Sequence, residues 1–228
     1  MASTIGKGTD TIAASRSLPR FGEIDGWRGA LRSRMFLAVL AATIIALVIT
    51  IYSLSRFLIF VEARPGVTLP DPILSLFSPH DVSWGTFGVI YLALLVWLGR
   101  HFREPRRILI TLQAYIVLII LRIAAMYVVP LEHPPGMLAL HDRVVENFGP
   151  AALLTKDLFF SGHTSTVFLL FLAASGTGAR AFFLLCTVVV AAFVLLQHVH
   201  YSVDVLVAPM AAYCCYRLVL LAWREAAR

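Results

Sequence analysis

The residues best suited to chemistry fall in two short stretches. In "QHVHYSVDV" (197–205), His200 and Asp204 stand four positions apart, which puts them on one face of a helix beginning near Tyr201. A carboxylate so placed accepts a hydrogen bond from one imidazole nitrogen, raises the basicity of the ring and leaves the other nitrogen free. In "KDLFFSGHTS" (156–165), His163 follows Ser161 and Gly162 at the mouth of an apolar run, with Lys156 and Asp157 just ahead of it. Burying Lys156, Asp157 and His163 is costly, so a function is expected there to offset the cost. Two histidines, a carboxylate and a helix N-terminus suit phosphoryl chemistry. One histidine attacks phosphorus and the other protonates the departing oxygen, while backbone N–H groups around Ser161–Thr164 hold a phosphate oxygen. Two other readings stand beside it: a metal site using His163, His198, His200 and Asp204, and an ordinary polar cluster at helix ends.

These residues need a scaffold, and the composition says which kind. Of 228 residues, 59% are hydrophobic and only 14% charged, against about 25% charged in a soluble domain. The mean hydropathy is +0.83. Six apolar runs, at about 35–60, 83–99, 108–129, 159–175, 181–198 and 202–222, approach the roughly 20 residues that cross a bilayer as helix. The expected fold is all-α, an integral membrane six-helix bundle spanning residues 35–222. Residues 1–34 form a cytoplasmic segment, disordered through residue 20 and interfacial from Phe21, and 223–228 form a tail. The three cysteines, Cys186, Cys214 and Cys215, lie in apolar runs and read as packing residues.

Loop charges set the orientation. Residues 1–34, the 100–107 loop, the 176–180 turn and the C-terminus carry the excess of arginine, whereas the loops around 61–82 and 130–158 are net acidic. Both termini are therefore expected in the cytoplasm. The net charge of +6 is a topology signal rather than a nucleic-acid patch, because the basic residues are divided among several segments. His80, His133, His141, His163, His198 and His200 all fall toward the outer side, and His101 alone toward the inner side. Arg122 lies about 12 Å inside the third run, where an arginine costs about 2.5–3.5 kcal/mol on insertion scales; it reads as a phosphate or carboxylate clamp, with snorkelling as the alternative. Arg56, nearer a helix end, reads as a snorkelling anchor, and Trp84, Trp97 and Trp223 read as interfacial aromatics.

At these residues the chain resembles the sphingomyelin synthase family, a branch of the PAP2 lipid phosphatase superfamily. "KDLFFSGHT" (156–164) and "HYSVDV" (200–205) are similar to its D-x-x-x-SGHT and HY-x-x-DV motifs. Upstream, "TLPDPI" (68–73) resembles a proline-rich LPD motif, and "RRILITLQAYIVLIILRIAAMYVVPLEHPPG" (106–136) an RR…Y…R…MYVT-LP motif. Together the matches span roughly residues 60–210. The Lys-x6-Arg-Pro and Ser-Arg segments of ordinary lipid phosphatases are absent, Phe193 and Val194 standing in the latter place, and "VVPLEHPP" departs from the threonine-rich end of the second motif. The extra domain of larger relatives is not expected here either.

The resemblance implies a membrane enzyme whose His163, His200 and Asp204 form a triad facing the exoplasm or periplasm, in an inner or plasma membrane if the source is bacterial. His200 attacks a phospholipid phosphodiester. His163 protonates the released diacylglycerol and then deprotonates a lipid alcohol such as ceramide. Asp157, Ser161 and Gly162 support the triad; Arg122, Lys156 and Tyr201 are expected at the phosphate or head group; Glu62, Asp71 and His198 are further site candidates. Neither a cofactor nor a metal is expected. The partners are a phospholipid donor, a lipid alcohol acceptor and the bilayer, without nucleic acid. Water as acceptor makes the same machinery a lipid phosphatase or phospholipase C-type hydrolase. A transporter or lipid-binding scaffold is the reading from a different class.

Overall fold

A computed structural model describes residues 26–142 and 155–225. Among them the regular structure is helical: α1 (Gly26–Ala30), α2 (Arg34–Ala63), α3 (Ser83–His101), α4 (Pro105–Val128), α5 (Gly162–Ala173), α6 (Thr177–Leu196) and α7 (Ser202–Glu225), with a single 3-10 turn at Leu74–Leu76. The expected disorder of residues 1–20 lies outside the described residues. Five helices, α2, α3, α4, α6 and α7, are long and apolar enough to cross a membrane. The sixth expected span is the 12-residue α5, which at 1.5 Å per residue is about 18 Å long and falls short of a core about 30 Å thick.

That short helix is the centre of the bundle, packing against α3, α4, α6 and α7, whereas α2 packs principally on α4. Ala93, Ala114, Ala173, Ala208 and Ala212 are fully buried, as expected where helices must approach closely because lipid offers no hydrophobic drive to associate. Leu95, Val48, Leu185 and Leu206 face outward, an apolar belt suited to lipid. Cys186 and Cys215 are buried and Cys214 is exposed, all three as free thiols.

The short length of α5 positions the site. Its C-terminal end is tied to that of α3 through the fully buried His101, whose ring nitrogens meet the Trp97 carbonyl at 2.9 Å and the Ser175 hydroxyl at 3.1 Å. With those ends level, α5 begins about 10 Å short of the N-terminal end of the 19-residue α3. Its first turn is therefore recessed, and Phe87, in the second turn of α3, packs against His163.

Two of the three tryptophans read as interfacial prove to be interior. Trp84 is 70% exposed, but Trp97 and Trp223 are only 5% and 8% exposed. Trp97 stacks beside His101. Trp223 donates to Gln113 at 2.6 Å beneath the Arg106 guanidinium. The reason is the same for both: helix ends close to a neighbour cover an aromatic that the sequence alone leaves at a boundary. Trp27 of α1 donates to the Phe102 carbonyl at 2.6 Å, docking α1 on the α3–α4 turn.

Candidate active site

Ser161 starts α5. Its extended backbone and its hydroxyl, accepting from the Thr164 N–H at 3.2 Å, make it the N-cap. The two residues before it, Phe159 and Phe160, hold left-handed φ values of 61° and 56°, and His198 has φ 56°. Non-glycine residues adopt this region at a cost and do so mainly where surroundings over-determine them, often at functional sites. Phe160 is 2% exposed, which is what holds it.

The second stretch enters α7. Asp204 Oδ2 accepts the Tyr201 backbone N–H at 3.1 Å and lies 3.4 Å from His200 Nδ1. The Tyr201 contact is one half of a capping box, an acidic side chain reaching back to the residue that caps its own helix. His200 itself stands in the turn ahead of α7 rather than within it. The Ser161 N–H donates to the Asp204 carbonyl at 3.0 Å, joining the starts of α5 and α7. That bond brings the His163 and His200 rings to 6.1 Å between centroids. His163 Nδ1, His200 Nε2 and Asp204 Oδ1 are buried and have no hydrogen-bond partner among the described residues. Buried polar atoms are rarely left so, and these three belong to residues at the joined starts of α5 and α7.

Arg122 turns inward rather than out to the surface. Its Nη2 lies 2.6 Å from Asp157 Oδ1, and its guanidinium occupies the space that a side chain on Gly162 would need. A methyl group at that position would have to displace the guanidinium, so the glycine leaves room for a cation to sit on the backbone at the start of α5. The charges that act on His163 come from His200, Arg122, Asp157 and Asp142.

The remaining expected residues build the outer frame. Lys156 Nζ is bonded to Glu132 Oε1 at 2.8 Å and to the Arg64 carbonyl at 2.9 Å. Tyr201, 1% exposed, donates its hydroxyl to the Glu132 carbonyl at 2.9 Å and accepts the Leu69 N–H at 3.2 Å. Glu62 takes the Thr155 N–H and hydroxyl and the Lys156 N–H, fixing the approach to Asp157. Asp71 accepts the Ser202 N–H at 2.6 Å and its hydroxyl at 3.0 Å, and also the Ile73 and Leu74 N–H groups. Burial opposes ionisation of Asp71, but the Ser202 and Leu74 bonds outweigh it and hold its carboxyl below the usual range. His198 Nδ1 meets the Pro135 carbonyl at 3.1 Å and its ring packs edge-on to Phe77. Among the described residues no group of three or more His, Cys, Asp or Glu side chains is arranged to hold a metal.

Glu132 and Gln197 are not singled out by the sequence, and both are structural hubs. Glu132 also accepts the Gly66 N–H at 2.9 Å, beside a single parallel bridge between Val67 and Leu131 that joins the two outer loops. A side chain on Gly66 would strike that second loop's backbone. Gln197, fully buried, donates to Ser83 Oγ and the Ala139 carbonyl and accepts the Val82 N–H. The available signal was an amide closing an apolar helix directly ahead of the His198–His200 turn.

Residues 156–221 match the family model described as PAP2 superfamily C-terminal. The match covers α5, α6 and most of α7, and so includes His163, His200 and Asp204; over this stretch the chain is similar to the PAP2 superfamily. No curated protein and no solved structure was found to match.

Proposed function

We propose that this protein transfers a phospho-head group from a glycerophospholipid to a lipid alcohol such as ceramide, in the manner of sphingomyelin synthase, through a phosphohistidine at His200. The PAP2 match supports the broader class, a multi-pass membrane enzyme of lipid phosphatase and phosphotransferase type. The observation that carries the finer reading is the pair of facing histidines with unpartnered nitrogens, one of them backed by Asp204. The two ring centroids stand 6.1 Å apart, close enough for both histidines to serve one phosphoryl group.

With Nδ1 turned to Asp204, His200 attacks phosphorus through Nε2. The P–O bond to the diacylglycerol oxygen breaks as the P–N bond forms, and His163 gives that oxygen its proton. The acceptor hydroxyl then passes its proton to His163 and attacks phosphorus, breaking the P–N bond and restoring His200. Asp204 orients the ring and stabilises its imidazolium. Arg122 and the first N–H groups of α5 face the phosphoryl charge. Lys156, Tyr201, Glu62 and Asp71 act through the frame, because their polar atoms are engaged there.

The orientation belongs to the same proposal: six crossings, both termini in the cytoplasm, and the site at the exoplasmic face. Loop charge supports it. Cysteines at Gly136 and Arg103 are expected to differ in labelling by an impermeant thiol reagent in sealed cells, Gly136→Cys reacting and Arg103→Cys protected; equal labelling contradicts the orientation. The function is tested with labelled phospholipid, with and without ceramide. A new phospholipid made on ceramide supports transfer. A water-soluble phospho-head group as sole product means that water is the acceptor, and neither product means that the enzymatic reading fails.

A further inference from the structure

At the end of the bundle that holds the α3–α4 turn, away from the histidine pair, α4 forms the floor of a groove between α2 and α7. Its volume is about 550 Å³, within the roughly 300–1,000 Å³ usual for a ligand pocket. Ala42 and Ala46 line one wall, Val219 and Ala222 the other, and Ile116 and Val117 the floor. Hydrogen bonds hold the walls in place. Trp223 donates to Gln113 Oε1 at 2.6 Å, and Gln113 Nε2 donates to Thr43 Oγ1 at 3.1 Å, so α7, α4 and α2 are tied across the groove. All three of these polar residues line it.

Charge gathers at the mouth. Arg106, seven positions before Gln113, shares its face of α4, and its guanidinium lies over the Trp223 ring, 5.2 Å from the centroid. Arg28 and Arg34 are exposed on α1 and at the start of α2, and α1 is docked on the α3–α4 turn by the Trp27 bond to Phe102. Exposed Arg103 stands in that turn. The acidic residues described at this end are Glu104, already paired with Arg107, and Glu225. A surplus of positive charge therefore remains, whatever contacts Arg106 makes. Basic pockets between membrane helices attract anionic lipid head groups. A zwitterionic lipid gains less there, because its ammonium is repelled by the same arginines.

We propose that this groove binds an anionic glycerophospholipid, with the head group at Arg106 and one acyl chain lying along α4 between α2 and α7. The site is separate from the phosphoryl site: Arg106 stands about 24 Å along α4 from Arg122 at 1.5 Å per residue. It requires no reaction at His200, so binding alone tests it.

Full-length protein is reconstituted in mixed vesicles of phosphatidylcholine and phosphatidylglycerol. One lipid at a time carries a photoactivatable acyl chain, and cross-linked residues are mapped by mass spectrometry. Phosphatidylglycerol is expected to label residues 42–46 and 116–117 about fivefold more than phosphatidylcholine, the worth of roughly one arginine at a charged head group. Arg106→Gln is expected to bring that ratio near one. Ala42→Phe, at an exposed position on the wall, is expected to reduce labelling of the floor by filling the groove, and it carries the test should Arg106→Gln fail to fold. Arg122→Leu is expected to leave the labelling unchanged. Equal labelling by the two lipids, or a preference and a floor labelling that Arg106→Gln and Ala42→Phe both leave intact, overturns the site. So does labelling lost in Arg122→Leu, which would assign the lipid to the phosphoryl site. Groove residues labelled by neither lipid would mean that protein fills the space, residues 1–25 or a second copy of the chain, and would overturn it equally.

Discussion

The two ends of the bundle treat buried histidine in opposite ways. At the end that holds the α3–α4 turn, His101 is fully buried and both ring nitrogens are occupied, one by the Trp97 carbonyl and the other by Ser175. At the opposite end His200 is 1% exposed, yet its Nε2 has no partner among the described residues, and His163 Nδ1 shares that condition. An interior donor or acceptor left unmade costs about 1–3 kcal/mol. His198 Nε2, two residues ahead of His200, is buried and without a partner among the described residues as well, so the unmet atoms gather in this turn. The backbone repeats the contrast. Among the described residues, the three non-glycine residues with left-handed φ, Phe159, Phe160 and His198, stand within five residues of His163 or His200.

Substitution can break this contrast, beginning with the largest expected effect. His200→Ala is expected to lower turnover by about four orders of magnitude or more, and adding Asp204→Ala should cost little further, because groups acting as a unit are not additive. Steady-state kinetics on the double variant checks this; fully multiplicative losses sink the unit. Gly162→Ala is expected to cost roughly 10²–10³-fold by displacing the Arg122 guanidinium, the scale of losing one preorganised donor. Activity close to wild type there means that Arg122 is only an anchor. Asp71→Ala removes the bonds to the start of α7, and a cap of this kind is worth about 0.5–2 kcal/mol. A lowered Tm with modest loss of activity is expected.

Acidification separates frame from triad. The Lys156 hydrogen bond, working against partial burial and helped by the Gly66 N–H, holds the Glu132 carboxyl below its ordinary range. A depressed carboxylate stabilises the fold above its unfolded pKa, about 4.3, and loses that contribution as pH falls through the lower folded value. The stability of the wild type should therefore decline below about pH 4 more steeply than that of Glu132→Gln. Parallel melting curves in that window remove Glu132 from the account. The smallest effect on turnover is expected at the end away from the site. His101→Phe leaves the Ser175 N–H without its partner and should cost about 1–3 kcal/mol, while activity per folded molecule stays near wild type.

Much of this was legible in the sequence because it is written in local spacing. The His200–Asp204 interval, the Ser161-Gly162 pair at the mouth of a run and the six apolar runs are near-neighbour features, and each maps to a helix or a helix start. What sequence could not supply is where polar atoms far apart in the chain end up. Lys156 and Tyr201 carry the residue types of a phosphate site, yet their side chains meet Glu132 from a different loop. Asp71, 131 positions before Ser202, caps α7. The depth of the fourth run was also hidden, since composition does not reveal that α5 has 12 residues and sets the site below its neighbours. Arg122 shows both sides: its cost inside a span marked it, but only the contact with Gly162 shows where the charge goes.

The central claim is that His200 carries the phosphoryl group while His163 handles protons. The most direct measurement uses a substrate whose leaving group departs without a proton, given to His163→Ala and to His200→Ala, with acid-labile phosphate on the protein read by mass spectrometry. The account predicts partial turnover and phosphate trapped on His200 in His163→Ala, and neither in His200→Ala. Turnover by His200→Ala, or transfer that inverts at phosphorus with no phosphoprotein in either variant, would contradict it and leave His200 as a general base for direct attack by the acceptor.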